Sequence, residues 1–179
     1  MMNEIDFNKA ILDAWKTTNR TTIFLIQHIP FNAWSEKYPG PKNRTIGMIA
    51  AHIHNSRSMW IKSIGRGEIV EVPDRVDPYN ASRREVVAAL PRSSRIMLNL
   101  LNACIDNGGR LPSRPVWLNF PNDIIHFLSY FVAHEAHHRG QIIQLARLLN
   151  HRLPAEVVDG VWQWNKRLKE ISPKTENKR

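Results

Sequence analysis

Apolar residues recur at every third or fourth position in four long stretches of the chain, which is the spacing of helices with one buried face. These stretches span residues 6–29, 45–64, 82–107 and 121–150, and a shorter one of the same kind follows at 154–171. Almost no segment alternates apolar and polar residues with the period of a β-strand. Long helices joined by medium-length loops predict an all-α fold: an antiparallel four-helix bundle with a short extra C-terminal helix.

Local signals support the ends of these helices. Pro30 ends the first helix, and Ser82 followed three residues later by Glu85 forms the capping box expected at the start of the third. Pro121 suits the first turn of the fourth helix, where its missing N–H has no cost. Pro91 should kink the third helix, because it cannot donate the next backbone hydrogen bond.

Length and composition indicate a single domain. A chain of 179 residues, 42% of them hydrophobic, can bury one core. We assign residues 1–171 to that domain and residues 172–179 to a basic, flexible tail. One cysteine, Cys104, excludes a disulfide framework. No apolar run is long enough to span a membrane, and no secretory signal is evident at the N terminus, so we expect a cytoplasmic protein without a membrane partner.

The charge balance is strongly basic. Lys and Arg number 25 against 16 Asp and Glu, which gives a net charge of +9, and the excess is greatest over residues 139–179. Such a field attracts nucleic acid or acidic substrates. However, no basic stripe with interleaved aromatic residues is present, as nucleic-acid-binding surfaces have. The pattern therefore favours a solvated basic surface, and nucleic acid is not the expected partner.

The candidate chemistry lies on the fourth helix. At about 100° per residue, His134 and His138 fall about 40° apart, in the middle of the apolar stripe. Two buried imidazoles need partners for their ring nitrogens, and a divalent metal ion supplies one, because residues four apart can direct two nitrogens to one point. The alternative is a pair of core histidines bonded to neighbouring helices. Gln141 shares the face and is expected to hydrogen-bond a metal ligand.

A third ligand could come from the second helix. His52 and His54 lie about 100° on either side of Ile53, and periodicity does not decide between them. His137, on the edge of the stripe of the fourth helix, would be the next candidate. The sequence pattern thus predicts two ligands directly and leaves the third open.

Three segments, in this order and spacing, resemble a known family. They are a tryptophan-containing loop after the first helix, RTIGMIAAHI at residues 44–53 and HEAHHRGQI at residues 134–142. The chain resembles the DinB-like family, also called the DinB/YfiT-like metalloenzymes. The resemblance implies an up-up-down-down four-helix bundle, often a homodimer, with nickel, zinc or a similar divalent ion on His52, His134 and His138.

The same segment also matches the HExxH motif of zinc proteases, with Glu135 as a candidate catalytic base. The metzincin extension of that motif fails, because Gln141 and Gln144 stand where glycine and histidine are required. Glu135 lies about 100° from His134, at the edge of the apolar face. Arg139, next to the histidines, could bind an anionic substrate or occupy a helix-end or surface position.

The expected function follows from the ligand set. Three imidazoles leave at least one open coordination position, which is typical of catalytic rather than structural metal sites. The ion could activate water for hydrolysis or bind a substrate thiol, and the family resemblance favours a transferase that uses a low-molecular-weight thiol. The substrate is expected to be a small molecule. The alternatives are a non-catalytic metal-binding stress-response module, a nucleic-acid-binding protein and the HExxH metalloprotease.

Overall fold

The computed structural model of the chain describes residues 4–39, 43–65, 70–113 and 119–171; the predicted tail at 172–179 lies outside them. Its helices are α1 (Phe7–Gln27), α2 (Ile46–Gly65), α3 (Arg83–Asp106), α4 (Ile124–Leu148), α5 (Ala155–Gly160) and α6 (Trp164–Lys169). The described residues contain no strand, so the predicted all-α four-helix bundle is confirmed. No helix among them is long and apolar enough to cross a membrane.

The structure confirms the predicted start of α3 and corrects the predicted start of α4. The capping box of α3 is present: the Ser82 side chain accepts from the Glu85 N–H, and the Glu85 carboxylate accepts from the Ser82 N–H. The start of α4 was placed too early. The cap is Asp123, whose carboxylate accepts from the His126 N–H, rather than a first turn at Pro121.

The C-terminal region forms two short helices, so the prediction of one helix over residues 154–171 was wrong. The N–H groups of Trp162 and Gln163 bond to the carbonyls of Asp159 and Gly160, three residues back. These tighter bonds end α5, and the chain begins again at α6. In α3, by contrast, Pro91 lies inside the helix and does not end it.

The directions of the four long helices follow from two clusters of buried residues, one at each end of the bundle. The first cluster joins the end of α1, the starts of α2 and α3 and the end of α4, through residues such as Ile26, Ile49, Leu90 and Leu145. The second joins their opposite ends, through residues such as Trp15, Ile64, Leu101 and Phe127. Hence α1 and α4 run one way and α2 and α3 the other. The order is up-down-down-up, which corrects the up-up-down-down order implied by the resemblance.

Parallel α2 and α3 require a connection that returns along the bundle. About 17 residues can span about 55 Å, well beyond the roughly 30 Å length of α2. The side chains of α2 hold this connection in place. His54, fully buried, donates from Nε2 to the Asp74 carbonyl at 2.8 Å, and Asn55 exchanges two hydrogen bonds with the backbone of Val76. Because Nε2 of His54 carries the proton, its Nδ1 accepts from the Ser93 hydroxyl at 3.1 Å.

An ion pair lies at the centre of the bundle. Arg57 of α2 and Glu135 of α4 are both fully buried, with Nε and Nη2 of the guanidinium 2.8 and 2.7 Å from Oε1 of the carboxylate. The other carboxylate oxygen, Oε2, accepts from the Thr22 hydroxyl of α1 at 2.6 Å. One carboxylate therefore joins three helices.

The guanidinium of Arg57 completes the connection to the remaining helix. Its Nη1 donates to the Asn19 side chain of α1 at 2.9 Å and to the Leu90 carbonyl of α3 at 3.1 Å. Its carbon atom Cζ lies 4.8 Å from the centre of the Trp15 ring. Burial lowers the pKa of Arg57 and the charge of Glu135 opposes this shift, so the pair depends on both partners.

We predict that Glu135→Gln lowers the free energy of unfolding by about 3–5 kcal/mol, because it leaves the buried Arg57 charge uncompensated. Glu156→Gln, at an exposed carboxylate of α5, is the matched control and should change it little. Chemical denaturation of both variants measures the difference. An equal, small effect of the two substitutions would contradict a structural role for this pair.

Two glycines should respond in opposite ways to alanine. A Cβ at Gly160 would lie 2.6 Å from a ring carbon of Phe24, whereas a Cβ at Gly140 in α4 would meet nothing within 4 Å. We expect Gly160→Ala to destabilise the protein by about 1–3 kcal/mol through overpacking. We expect Gly140→Ala to stabilise it by up to about 1 kcal/mol through helix propensity. The melting temperature of the two variants tests both predictions. If the two substitutions shift it in the same direction, the predicted contrast between these glycines is wrong.

Candidate metal centre

Three histidines converge between α2 and α4. His52 comes from α2, and His134 and His138 come from successive turns of α4. The ring centres lie 5.3 Å (His52–His134), 4.6 Å (His52–His138) and 4.4 Å (His134–His138) apart. One nitrogen from each ring lies within 4.8 Å of the other two. The antiparallel packing of α2 on α4 thus assembles a cluster that could hold a metal ion.

The structure distinguishes the two histidines of α2. His52 is partly exposed and its ring lies against the pair on α4. His54 is fully buried on another side of α2, and both of its ring nitrogens are engaged, as described above, by Ser93 and Asp74. His54 is therefore the hydrogen-bonded core histidine, and only His52 joins the cluster.

The distances within the cluster suit a single small ion after slight adjustment. Zinc–nitrogen bonds of about 2.0–2.1 Å place two ligand atoms at most about 4.2 Å apart. The Nε2 atoms of His134 and His138 are already 3.1 Å apart. One ion could therefore bond to both atoms without a large movement of either ring.

Gln141 fixes the tautomer of one candidate ligand. Nδ1 of His138 lies 2.8 Å from Oε1 of Gln141, so this nitrogen carries the proton and donates it to the amide oxygen. The lone pair of His138 is therefore on Nε2, the atom that faces His134. The amide nitrogen of Gln141 donates in turn to Nε2 of the exposed His137 at 2.9 Å. This arrangement is the one that typically orients a metal-binding imidazole.

The environment keeps the three imidazoles neutral at pH 7. Burial lowers the pKa of His52 and of His138, and nearby positive charge, including that of Arg44, lowers both further. The pKa of His134 falls to about 4, first because of burial and then because of the neighbouring histidines. The ring of Tyr130 stacks on His134 and contributes to that burial. Neutral imidazoles offer the free lone pairs that a cation requires.

Glu135 does not lie where the helical wheel placed it. It was expected at the edge of the apolar face, but it is fully buried, with one oxygen on Arg57 and the other on Thr22. Arg57 carries no distinguishing signal in the sequence, since a single arginine in an amphipathic helix resembles a surface residue. The available signal was a group of threonines on α1, which indicates that this face meets polar partners. All four are buried in the structure: Thr17, Thr18, Thr21 and Thr22.

An open groove runs beside the histidine cluster. It has a volume of about 590 Å³, and its lining includes Arg44, Ile49, His137, Gln141, Leu145 and Leu148. Its wall is mainly apolar, and Arg44 is the cationic group among the described residues that line it. Gln141 belongs both to this groove and to the hydrogen bond that orients His138, so the groove adjoins the cluster. His52, His134 and His138 are not among the described residues that line the groove, so Gln141 is the connection between the groove and the cluster.

Comparison with known proteins agrees with the fold and the cluster. No curated protein matches the sequence. The profile of the DinB family, however, matches residues 1–170, which is nearly the whole chain. A match of this extent covers α1 to α6 and all three histidines of the cluster. The chain therefore belongs to the DinB family.

Proposed function

We propose that this protein is a metal-dependent enzyme whose divalent ion is held by His52, His134 and His138. The observation that carries the proposal is the convergence of three imidazole nitrogens, from two helices, beside an open groove. Three protein ligands leave at least one coordination position free for a substrate. Imidazole ligands suit nickel and zinc equally, so either ion is a candidate.

A divalent cation at this site would act as a Lewis acid toward a heteroatom of the substrate, such as a thiol sulfur. Residues of the chain would orient a metal ligand and select the substrate. Gln141 holds His138 in the tautomer that directs its lone pair into the site. The apolar groove wall favours a substrate with an apolar part, and Arg44 favours one with negative charge. We therefore propose a small-molecule transferase that uses a thiol, or a hydrolase.

We propose a positioning role, and no acid–base role, for Glu135. Both carboxylate oxygens are bound within the core, and the residue is completely buried. A general base must reach the proton that it removes, which this carboxylate does not. The match to the HExxH motif is then a coincidence of spacing, and the metalloprotease hypothesis loses its base. A homodimer and a role in the stress response stay predictions from the family resemblance.

The metal site is tested by substitution. We predict that His52→Ala or His138→Ala abolishes stoichiometric metal in protein purified without a metal-affinity tag, because two imidazoles hold a divalent ion far less tightly than three. His137→Ala, an exposed neighbour on the same helix, is the control and should retain the metal. Elemental analysis gives the readout. Full metal content in both ligand variants would refute the site.

Catalysis is tested separately. We expect the metal-loaded protein to accelerate attack of a small thiol on an aryl halide, or hydrolysis of an activated ester, and we expect His138→Ala to lose at least about a hundredfold of that rate. Glu135→Gln, assayed where it is folded, should retain the pH profile of the parent protein, since it is not a base. Stoichiometric metal without turnover of either substrate class would instead indicate a non-catalytic metal-binding module.

A further inference from the structure

A second cavity lies on the opposite side of α4 from the histidines. Its volume is about 140 Å³, and its walls include Val132, Arg139, Ile143, Val161, Trp162 and Trp164. Ile143 is about 180° around the helix from His134. The cavity therefore belongs to the interface between α4 and the C-terminal segment, away from the candidate metal centre.

Among the described residues of the cavity wall, Arg139 is the one charged group, and it is unusual in two respects. Its side chain is buried, with only 7% of the residue exposed. Its Nη1 donates to the Thr22 hydroxyl at 2.9 Å, and among the described residues no carboxylate forms an ion pair with it. A buried arginine with a single neutral partner leaves most of its donors available to the cavity.

The charges around Arg139 indicate that a negatively charged group is missing from this part of the structure. The buried core holds three guanidinium groups, Arg57, Arg139 and Arg167, and one carboxylate, Glu135; Arg167 forms its own ion pair with Glu170. The carboxylate of Glu135 is already paired with Arg57, and the Thr22 hydroxyl donates its proton to it. The charge of Glu135 also acts on Arg139, but of these two arginines the carboxylate contacts only Arg57, so the three groups together carry one net positive charge. Such a charge is costly unless an anion accompanies it.

The remaining residues of the cavity wall indicate the apolar part of the ligand. Ile143, Val161 and the two tryptophans are apolar or aromatic, and Val132 and Ala136 add further apolar surface to the wall. A cavity of about 150 Å³ accommodates a molecule of the size of benzene. Trp162, which is 77% exposed, leaves a large apolar surface at the edge of the cavity. The shape and chemistry suit a compact apolar group that carries one carboxylate.

The C-terminal wall of the cavity is held in place independently of any ligand. Arg20 of α1 forms an ion pair with Glu170 at 2.6 Å, just after α6. The guanidinium of Arg167 lies 3.9 Å from the centre of the Phe24 ring, which also contacts Gly160 closely. These contacts fasten the segment that contains Trp162 and Trp164 to α1. The cavity is therefore preformed, which lowers the entropic cost of binding.

We propose that this cavity binds a small organic monocarboxylate, with the carboxylate on the guanidinium of Arg139 and a ring-sized apolar group against Ile143 and Trp164. Arginine is suited to this role because its planar donors match the two oxygens of a carboxylate. The site is distinct from the histidine cluster and does not depend on the proposed metal chemistry.

Benzoate is the probe that tests the proposal. It is titrated into the full-length protein by calorimetry, both as purified and after metal removal with a chelator. We expect saturable binding of one benzoate per chain in both forms, with a matching rise in the melting temperature. Benzamide, which has the same shape without the charge, should bind at least tenfold more weakly. His138→Ala should bind benzoate as the parent protein does.

Substitutions in the cavity complete the test. Arg139→Gln should weaken benzoate binding at least tenfold, and Ile143→Trp should abolish it by filling the cavity. Circular dichroism shows whether each variant is folded, and if neither is, the comparison of benzoate with benzamide on the parent protein decides. Absence of saturable binding, or equal affinity for the two probes, would overturn the proposal. So would binding that is lost in His138→Ala or after metal removal, which would place benzoate at the histidine cluster.

Discussion

The buried ion pair between Arg57 and Glu135 is the constraint on which the bundle is organised. Its atoms contact α1, α2, α3 and α4, and it lies between the two apolar clusters that fill the ends of the molecule. A buried pair of this kind adds less to stability than its Coulomb energy suggests, because both ions must leave water. What it specifies is geometry: only one alignment of α2 against α4 satisfies both partners.

That alignment also assembles the candidate metal centre. Glu135 is the neighbour of His134 in the chain, so pairing it with Arg57 fixes the height of α4 against α2, and His52 then lies opposite His134 and His138. Two sides of α4 carry these groups. The histidines face α2, whereas Glu135 and Arg139, four residues apart, share another side and both bond to the Thr22 hydroxyl.

Several predictions failed for one physical reason, which is that local patterns do not record what a residue packs against. The wheel placed Glu135 at an edge because it cannot represent a partner such as Arg57 on another helix. The C-terminal helix was predicted as continuous, but close packing of Gly160 against Phe24 and a tight turn divide it. The direction of α3 depends on the connection held by His54 and Asn55, contacts that no periodicity contains.

The sequence by itself determined the four long helices, the capping box at Ser82 and the pair of histidines four residues apart, because these depend on interactions within one helix or one turn. Periodicity left His52 and His54 open, the resemblance implied His52, and the tertiary structure brought the ring of His52 to the pair. Only the tertiary structure decided that the helices run up-down-down-up and that Arg139 is buried beside a cavity. Each of these depends on which residues of distant segments meet, and the packing of the whole chain sets those contacts.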